Sequence, residues 1–397
     1  MDEPFEGYRD VRATASIADN TIELSLKTAD LGVSQPFGIS AAVLSVSNGR
    51  IVWGDRADSV SRRDDSPVGL REAAATTADE DLESSTRPGD SEYAYRWVDN
   101  YDVYVDENTL DEVPFEDIQY GEYVVVNDPA VSKYAFIYYV PDNIADFEKV
   151  RILLAGHSRP DHDYDSLVAA IASDSMARFE WATEEYGYAV LLVAVPQIAQ
   201  YFGESAMIEG EIENPFWERP DLEYIAVINA FADKLEVQGL DVHRKVFVTG
   251  GSNGGLQAHV FSVMHPGIVE AAAPIAAGRY VYLQQEMYGH EMPFPAGLSG
   301  TSRIAAWEFS PDEFKKVEQL YLAGSEDTHP RNQVTHPVDN DLFGSNHPER
   351  VVMYVDYLKN YGVERVEAKI YEGVGHRGVW DMTTDTIEFF NSIPLSQ

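Results

Sequence analysis

A serine between glycines is the strongest chemical signal in this sequence. Gly250, Ser252 and Gly254 form the pattern Gly-x-Ser-x-Gly, directly after an apolar strand pattern and directly before a helical one. A serine on such a sharp strand-to-helix turn projects its hydroxyl above a sheet, and glycines let the neighbouring backbone pass close by. The pattern predicts a nucleophilic serine for acyl transfer. A glycine-rich turn with a solvated serine is the alternative.

A serine nucleophile needs a base and an orienting acid, and these follow later in the chain. Asp327 comes shortly after a predicted strand that ends at Gly324, and the neighbouring Glu326 is the competing acid. Among ten histidines, His376 is the one that follows a late strand in a glycine-rich turn. Ser252, Asp327 and His376 are therefore the predicted catalytic triad.

The oxyanion of acyl transfer needs two backbone N–H donors near the serine. The first predicted donor is Asn253, directly after the serine, and the second is His157 or Ser158, after the strand pattern at 150–155. The same loop continues into Asp-His-Asp at 161–163, so a metal cluster with His157 is an alternative. We predict no metal there, because the ligands crowd together in sequence and the loop already has a role.

The segment 328–349, which follows the predicted acid, is rich in His, Asp and Asn. Its resemblance to a calcium loop rests on Asp339, Asp341 and Gly344. Phe343, however, stands where such a loop needs an oxygen ligand, and Glu349 falls one residue early. We predict a surface loop near the acid without a bound cation, and a structural cation is the alternative.

Strands alternating with helices must position these residues. Strand patterns occupy residues 134–140, 150–155, 188–195, 245–249, 270–276, 320–324 and 366–371. Helical periodicity occupies residues 167–186, 222–235, 255–264, 350–358 and 383–390. Near-continuous apolar strands joined by helices predict an α/β fold, in which helices cover both faces of a mostly parallel sheet.

The N-terminal part of the chain is organised differently. Residues 1–57 contain four β patterns with a hairpin turn at 47–50, which predict a small β-rich unit, a partial sandwich-like module. Residues 58–92 lack aromatic residues and carry many charges, so they are predicted to be a flexible linker. The catalytic domain is then 93–397. We expect the N-terminal unit to bind a polymer or a surface.

The composition excludes several classes of partner. The 397 residues include 67 acidic and 29 basic residues, for a net charge of −38, and 44% are hydrophobic, which suffices for a large core. So negative a surface predicts neither nucleic acid nor membrane as partner. With 9 lysines against 20 arginines, the sequence predicts a halophilic protein, and an ordinary acidic protein is the alternative. The absence of cysteine excludes disulfides, thiolate metal sites and a cysteine nucleophile.

The sequence also bears on location. It contains no apolar run of the roughly 18 residues that a membrane span needs. The start Met-Asp-Glu-Pro lacks the positive charge and apolar stretch of a secretory signal. We expect a secreted protein whose leader has been removed, and a cytoplasmic location is the alternative.

The region around the serine resembles the α/β-hydrolase superfamily, and more narrowly its serine esterases of the polyhydroxybutyrate depolymerase and feruloyl esterase type. The likeness lies in the helix before the turn, in Asp241 and Arg244, in "SNGG" at 252–255 and in "GVGH" at 373–376. Two features depart from the family. Its usual His-Gly at the first oxyanion loop is Ala-Gly at 155–156, and the cysteines of secreted depolymerases are missing.

This resemblance implies an α/β-hydrolase fold, with Ser252 as nucleophile, His376 as base and Asp327 as orienting acid, and no cofactor. The expected function is carboxylic-ester hydrolysis through an acyl-enzyme. The expected substrates are polyesters, or aromatic or hydroxyacyl esters of the polyhydroxybutyrate, feruloyl or terephthalate type. The aromatic residues predicted to bind substrate are Tyr201, Phe202, Trp217, Tyr280 and Trp380.

Two other functions are alternatives. The segment "GGSNGG" also resembles the elbow of prolyl oligopeptidases, which are serine peptidases. Those enzymes carry a large propeller domain, whereas only 92 residues precede the predicted catalytic domain here. A non-catalytic binding protein on a hydrolase scaffold is the second alternative, and the complete predicted triad disfavours it.

Overall fold

The structure is a computed structural model that describes part of the chain. The described residues are 13–18, 21–26, 43–47, 50–54, 107–158, 164–171, 177–196, 207, 215–287, 289–328, 343–376 and 380–395. They fall into two compact units, within Met1–Asp90 and Ser91–Gln397. The predicted linker at 58–92 lies outside the described residues.

The first unit contains a four-stranded sheet. Its strands are β1 (Ala13–Ala18), β2 (Thr21–Leu26), β3 (Val43–Ser47) and β4 (Arg50–Gly54). They lie in chain order, and each pairs with the next in the antiparallel direction. Ser47 lies opposite Arg50, where the sequence predicts the hairpin turn.

The second unit is built on a mixed sheet. Its strands are β5 (Tyr123–Val126), β6 (Phe136–Tyr139), β7 (Val150–Gly156), β8 (Tyr188–Val193), β9 (Val242–Gly251), β10 (Val269–Ile275), β11 (Glu286–Met287), β12 (His290–Glu291), β13 (Glu318–Gly324) and β14 (Val366–Tyr371). Among the described residues, β11 pairs with β12, and the other strands form one sheet in the order β14-β13-β10-β9-β7-β8-β6-β5. In that sheet β6 runs antiparallel to both β5 and β8, and all other neighbouring pairs are parallel. The predicted mostly parallel sheet is confirmed.

Helices cover both faces of this sheet, as predicted. In the described part of the chain the α-helices are α1 (Tyr164–Ile171), α2 (Glu180–Tyr186), α3 (Pro220–Val237), α4 (Asn253–Met264), α5 (Pro311–Phe314), α6 (His347–Tyr361) and α7 (Trp380–Asn391). Val246 and Val248 of β9 join the core under α3, α4 and α6, whereas Phe247 joins the core under α1, α2 and α7. None of the helices described here has both the length and the apolar composition that crossing a membrane requires.

Two elements differ from the prediction. The helix predicted over 167–186 is at least two helices, because α1 ends at Ile171 and a 3-10 turn, Ala177–Phe179, precedes α2. The sequence between them includes Ser-Asp-Ser at 173–175, residue types that compete with helical hydrogen bonds. β5 was not predicted, although its sequence Tyr-Val-Val-Val is typical of a strand.

The strand order creates one position suited to a site. β7 and β9 are neighbours, but the chain leaves β7 towards β8 on one side and leaves β9 towards β10 on the other. In sheets of this kind, the crevice at the carboxyl ends of two such strands is where ligands bind. The loops at those ends begin with His157 after β7 and with Ser252 after β9.

Candidate active site

Ser252 occupies a strained turn between β9 and α4. Its backbone has φ +54° and ψ −117°, a region that residues with a Cβ atom rarely adopt. Strain of this kind costs about 1–3 kcal/mol, so the surrounding structure must hold it. The Ser252 amide donates to the carbonyl of Ile275 at 2.8 Å, and the Leu256 amide donates to the carbonyl of Ser252 at 3.0 Å. The serine hydroxyl is thereby fixed at the carboxyl end of the sheet.

Two glycines of the motif are required by close backbone contact. A Cβ atom on Gly254 would lie 2.6 Å from the carbonyl of Gly156 at the end of β7. A Cβ atom on Gly250 would lie 2.5 Å from the carbonyl of Gly254. Any side chain at these positions would push the turn away from β7, so the predicted reason for the glycines is confirmed by the packing.

The structure brings Ser252, His376 and Asp327 together in a linear chain of hydrogen bonds. The Oγ atom of Ser252 lies 3.0 Å from Nε2 of His376. The Nδ1 atom of the same ring lies 2.9 Å from Oδ2 of Asp327. If Nδ1 carries the proton and donates it to the carboxylate, Nε2 is left to accept the serine proton. The arrangement can therefore activate a serine hydroxyl as a nucleophile.

Two hydrogen bonds tie the loop of the acid to the loop of the base. The amide of Glu326 donates to the carbonyl of Val374 at 2.9 Å, and the amide of Gly373 donates to Oγ of Ser325 at 2.9 Å. A Cβ atom on Gly324 would lie 2.0 Å from the same Val374 carbonyl, so the two loops approach as closely as glycine allows.

Asp327 and its competitor Glu326 differ in burial. Asp327 is buried with 1% of its surface exposed, whereas the neighbouring Glu326 is exposed to solvent. Burial raises the pKa of Asp327, but its contacts with His347 and His376 outweigh this effect and lower the pKa to about 2. Asp327 is thus a carboxylate across the pH range in which a histidine base works.

His347 is a residue of this site that sequence analysis did not identify. It is 1% exposed, and its Nδ1 lies 3.1 Å from Oδ1 of Asp327, the oxygen that His376 does not use. Its ring centroid lies 4.9 Å from that of His376. The sequence holds only an indirect signal, since His347 falls in the His-rich segment after the acid.

The end of that segment is not the surface loop that was predicted. Phe343 is 6% exposed, and α6 begins at His347, three residues before the predicted helix. The carboxylate of Glu349 accepts from the amide and hydroxyl of Ser345, and Asn346 caps the helix by accepting from the Glu349 amide at 3.0 Å. Glu349 is therefore part of a helix cap. Gly344 precedes this cap, and Asp339 and Asp341 lie outside the described residues.

The loop after β7 holds the serine turn from the other side. The hydroxyl of Ser158 donates to the carbonyl of Gly251 and accepts from the amide of Gly254 at 3.1 Å. The side-chain amide of Gln257 donates to the carbonyl of His157 at 3.3 Å. Both predicted loop residues thus lie beside the turn, and the Ser158 side chain and Gln257 are contacts that sequence analysis missed.

The third predicted oxyanion residue, Asn253, is the first residue of α4. Amides in the first turn of a helix point away from the helix body, and the helix dipole favours negative charge there. This position suits a donor to an oxyanion beside Ser252. Residues 161–163, the proposed partners of a metal cluster with His157, lie outside the described residues.

Three side chains of the site have the chemistry of metal ligands. Asp327, His347 and His376 each offer a ligand atom, and these atoms lie within 4.8 Å of one another. The 2.9 Å contact of His376 with Asp327 is a hydrogen bond, and His347 lies at the ion-pair distance of 3.1 Å from the other oxygen. These three side chains form one group, in which the carboxylate of Asp327 lies between the imidazoles of His347 and His376.

The predicted substrate-binding aromatics have different surroundings. Tyr201 and Phe202 lie outside the described residues. Trp217 is half-buried against the core under α3. Tyr280 is 4% exposed, and its ring stacks on that of Tyr354 with centroids 4.6 Å apart. The structure therefore places Tyr280 in the aromatic core, where stacking and burial stabilise it, and not on an open cleft surface.

Trp380 lies in an exposed aromatic group. It is the first residue of α7, is 50% exposed, and its ring centroid lies 5.8 Å from that of Trp181. The indole of Trp181 donates to the carbonyl of Arg178 at 3.0 Å. The Arg178 guanidinium in turn lies 4.0 Å from the position of a Cβ atom on Gly251. Trp181 and Trp380 thus form an aromatic pair near the starts of α2 and α7.

Comparison with known proteins identifies the fold. No protein-family profile and no curated protein sequence match the chain. Poly(aspartic acid) hydrolase-1 from Sphingomonas sp. KT-1 is similar in structure, with a TM-score of 0.50 and 16% identity over 69% of this chain and 98% of that one. A poly(3-hydroxybutyrate) depolymerase from Bordetella parapertussis has a TM-score of 0.49 and 17% identity over 70% and 92%. The unit Ser91–Gln397 has the α/β-hydrolase fold that the sequence predicts.

Proposed function

We propose that this protein is a serine hydrolase of carboxylic esters. The observation that carries the proposal is the hydrogen-bonded series of Ser252, His376 and Asp327, with contacts of 3.0 and 2.9 Å. The strained turn that presents the serine supports it as well, because structures retain backbone strain mainly where function needs it.

In the proposed reaction, the Oγ atom of Ser252 bonds to the ester carbonyl carbon while its proton passes to Nε2 of His376. The tetrahedral intermediate then collapses, and the leaving alcohol takes the proton from Nε2. Water repeats both steps on the acyl-enzyme, which releases the carboxylic acid and restores the serine. Asp327 keeps its negative charge throughout and stabilises the imidazolium, as its low pKa favours.

The negative charge of the intermediate needs donors on the other side of the serine. The proposed donors are the backbone N–H of Asn253 at the start of α4 and one from His157 or Ser158 after β7. The contacts of Ser158 with Gly251 and Gly254 support this, since they hold the two loops in a fixed relation. Such preorganised donors contribute about 3–4 kcal/mol each to lowering the barrier.

The proposed substrates are polyesters, or esters with aromatic or hydroxyacyl groups. The exposed ring of Trp380, which lies against Trp181, supports this class, because an exposed aromatic surface favours apolar and aromatic groups. The acyl or alcohol part of a polyhydroxybutyrate, feruloyl or terephthalate ester would lie on this surface.

The test is hydrolysis of a panel of esters at low and at molar salt. The panel contains p-nitrophenyl esters, a feruloyl ester, polyhydroxybutyrate, an aromatic polyester and a prolyl peptide. We expect Ser252→Ala to lose at least about 10³-fold in kcat with its fold retained. The matched control is Ser302→Ala, because Ser302 is an exposed serine in the 3-10 turn Thr301–Arg303, which carries no residue of the triad.

Covalent labelling separates the alternatives. An organophosphonate should modify the wild type and Ser302→Ala, but not Ser252→Ala. Retained turnover in Ser252→Ala would refute the proposal, and absence of labelling in the wild type would favour a non-catalytic binding protein. Cleavage of the prolyl peptide in preference to every ester would favour the peptidase, since the same triad can open an amide.

A further inference from the structure

His347 lies on the far side of the carboxylate that orients the proposed base. Its Nδ1 is 3.1 Å from Oδ1 of Asp327, while Nδ1 of His376 is 2.9 Å from Oδ2. Each oxygen of one buried carboxylate therefore has an imidazole nitrogen beside it: the His376 contact has hydrogen-bond geometry, and the His347 contact is an ion-pair approach that helps to lower the pKa of Asp327. The backbone amide of His347 also approaches the Asp327 carbonyl at 3.3 Å, so this residue touches Asp327 twice.

The surroundings hold His347 firmly. It is the first residue of α6, which Asn346 caps. The guanidinium of Arg350, one turn along, donates to the carbonyls of Gly344 at 3.0 Å and Gly278 at 2.8 Å. The start of α6 is thus bound to the segments before and beside it, and the imidazole has little room to move away from Asp327.

We infer that His347 is a positioning residue that fixes the carboxylate of Asp327 for His376. The inference rests on the proposed function of the triad. A carboxylate held at one oxygen only can rotate about its χ2 torsion, which has broad minima, and rotation would misalign the other oxygen. The buried imidazole 3.1 Å from Oδ1 restricts this rotation, so Oδ2 stays in line with Nδ1 of His376.

The contact also has an electrostatic consequence. Among the described residues, the titratable groups in contact with Asp327 are His347 and His376. The charge of Asp327 also acts on the buried hydroxyl of Tyr280, as does that of Arg350 on α6. A donor at Oδ1 withdraws negative charge from the carboxylate, which makes Asp327 a weaker partner for a protonated His376. Removing that donor should stabilise the protonated form of His376. The acid limb of the pH profile of kcat should therefore move to higher pH.

The test compares two substitutions of His347. His347→Phe keeps the ring but removes both nitrogens, whereas in His347→Asn the side-chain amide can place an N–H where Nδ1 lies. For ester hydrolysis, we expect His347→Phe to lower kcat by about 10-fold or more with little change in KM, because misplacing a catalytic group is costly. The acid limb of the pH profile of kcat should move to higher pH in His347→Phe. His347→Asn should restore most of the lost kcat and most of the original pH profile.

The matched control is His265→Phe. His265 is also paired with a buried aspartate, since its Nε2 lies 3.0 Å from Asp221, but it lies at the opposite end of α4 from Ser252. This variant should lower the melting temperature without moving the acid limb. If His347→Phe and His347→Asn are equally impaired and neither moves the limb, His347 is merely structural and the inference is wrong.

A second measurement does not need turnover. The downfield proton resonance of the His376 Nδ1–H group reports its bond to Asp327 directly. We expect this resonance to broaden or move in His347→Phe and to return in His347→Asn. An unchanged resonance in His347→Phe overturns the inference. If the wild type hydrolyses no ester while the resonance behaves as expected, the proposed function fails and the positioning role of His347 stands.

Discussion

Asp327 contacts both histidines of the site. It is buried, yet its pKa is lowered to about 2, because two imidazoles face its two oxygens. A buried charge is stable only when it is paired in this way. The same pairing fixes the tautomer of His376, since Nδ1 must keep its proton to donate to Oδ2. The carboxylate of Asp327 thus supplies the negative charge of the site and also sets the tautomer of His376.

Replacing this carboxylate by an amide should abolish the tautomer preference. In Asp327→Asn, the new N–H group can face Nδ1 of His376 and leave Nε2 protonated, which cannot accept the serine proton. We expect kcat for ester hydrolysis to fall by about 10⁴-fold, with KM little changed. Steady-state kinetics on a soluble ester measure this directly.

Glu326→Gln is the control, because it removes the neighbouring exposed carboxylate. It should leave kcat within about twofold, since surface substitutions of this kind have small effects. If Glu326→Gln were the more damaging of the two, the assignment of the acid would pass to Glu326.

At the level of single residues, the sequence was sufficient for part of this site. Ser252 and His376 sit in short glycine-rich motifs next to strands, so local pattern predicts them. His347 has no such motif, because its role depends on where the start of α6 packs against the loop after β13. Contacts between distant segments leave no local pattern, which is why Gln257 and the Ser158 side chain were also missed.

At the level of elements, α4 does more than present Ser252. His259 in its middle is fully buried and accepts from the amide of Val281 at 2.8 Å through Nε2. Its Nδ1 lies 3.1 Å from the hydroxyl of Tyr321 on β13, which itself donates to Gln319 at 2.6 Å. One neutral imidazole thus links α4 to β13 and to the segment after β10.

Burial lowers the pKa of His259 from 6.5 to about 3, which makes the fold sensitive to acid. Between these two values the unfolded chain binds a proton at His259 that the folded protein does not. The contribution of His259 to the free energy of unfolding is therefore complete above about pH 6.5 and decreases as the pH falls below that value. Between pH 7.5 and pH 5, this residue should cost about 2 kcal/mol of unfolding free energy.

The measurement is urea unfolding of the wild type and His259→Gln at the two pH values, in molar NaCl throughout. The Oε1 atom of Gln can accept from Val281 in place of Nε2, and Gln does not titrate. The variant should be less stable at pH 7.5 but should lose about 2 kcal/mol less on acidification. Parallel losses in both proteins would show that other groups cause the acid sensitivity.

The elements themselves were largely predictable, for a physical reason. Strands buried on both faces are nearly continuous apolar runs, such as 188–195 for β8, and such runs are visible in one sequence. The edge strand β14 is mostly exposed, and its sequence Val-Glu-Ala-Lys-Ile-Tyr shows the alternation of a strand with one solvated face. The boundary between α1 and α2 was not predictable, because the apolar periodicity of the sequence continues across it. The early start of α6 was missed because its cap uses Asn346 and Glu349, which were interpreted as part of a loop.

For the whole molecule, charge is the dominant property. Even if each of the 29 basic residues neutralised one carboxylate, 38 of the 67 acidic residues would remain without a cation. Two cations of the described residues serve two carboxylates each: Arg244 contacts Asp233 and Glu236, and Arg365 contacts Glu318 and Glu367. Self-repulsion must therefore oppose the folded state in dilute buffer.

Salt should relieve this repulsion. The Debye length falls from about 10 Å at 0.1 M to about 3 Å at 1 M salt, which is shorter than most distances between surface charges. We therefore expect the melting temperature to rise from 0.1 to 2 M NaCl, as proposed for a halophilic protein. Ester hydrolysis should rise over the same range, since a loosened fold cannot hold Ser252 in its strained turn. A flat or falling melting temperature would contradict the halophilic proposal.

A charge variant distinguishes screening from general salting-out. Four exposed glutamates on the surface of the second unit are suitable for replacement by Gln: Glu112, Glu364, Glu372 and Glu388. The quadruple variant should be more stable than the wild type at 0.1 M NaCl and should gain less from added salt, because it has less repulsion to screen. Salting-out acts on apolar burial, which these substitutions do not change, so equal salt gains in both proteins would show that repulsion is not the cause.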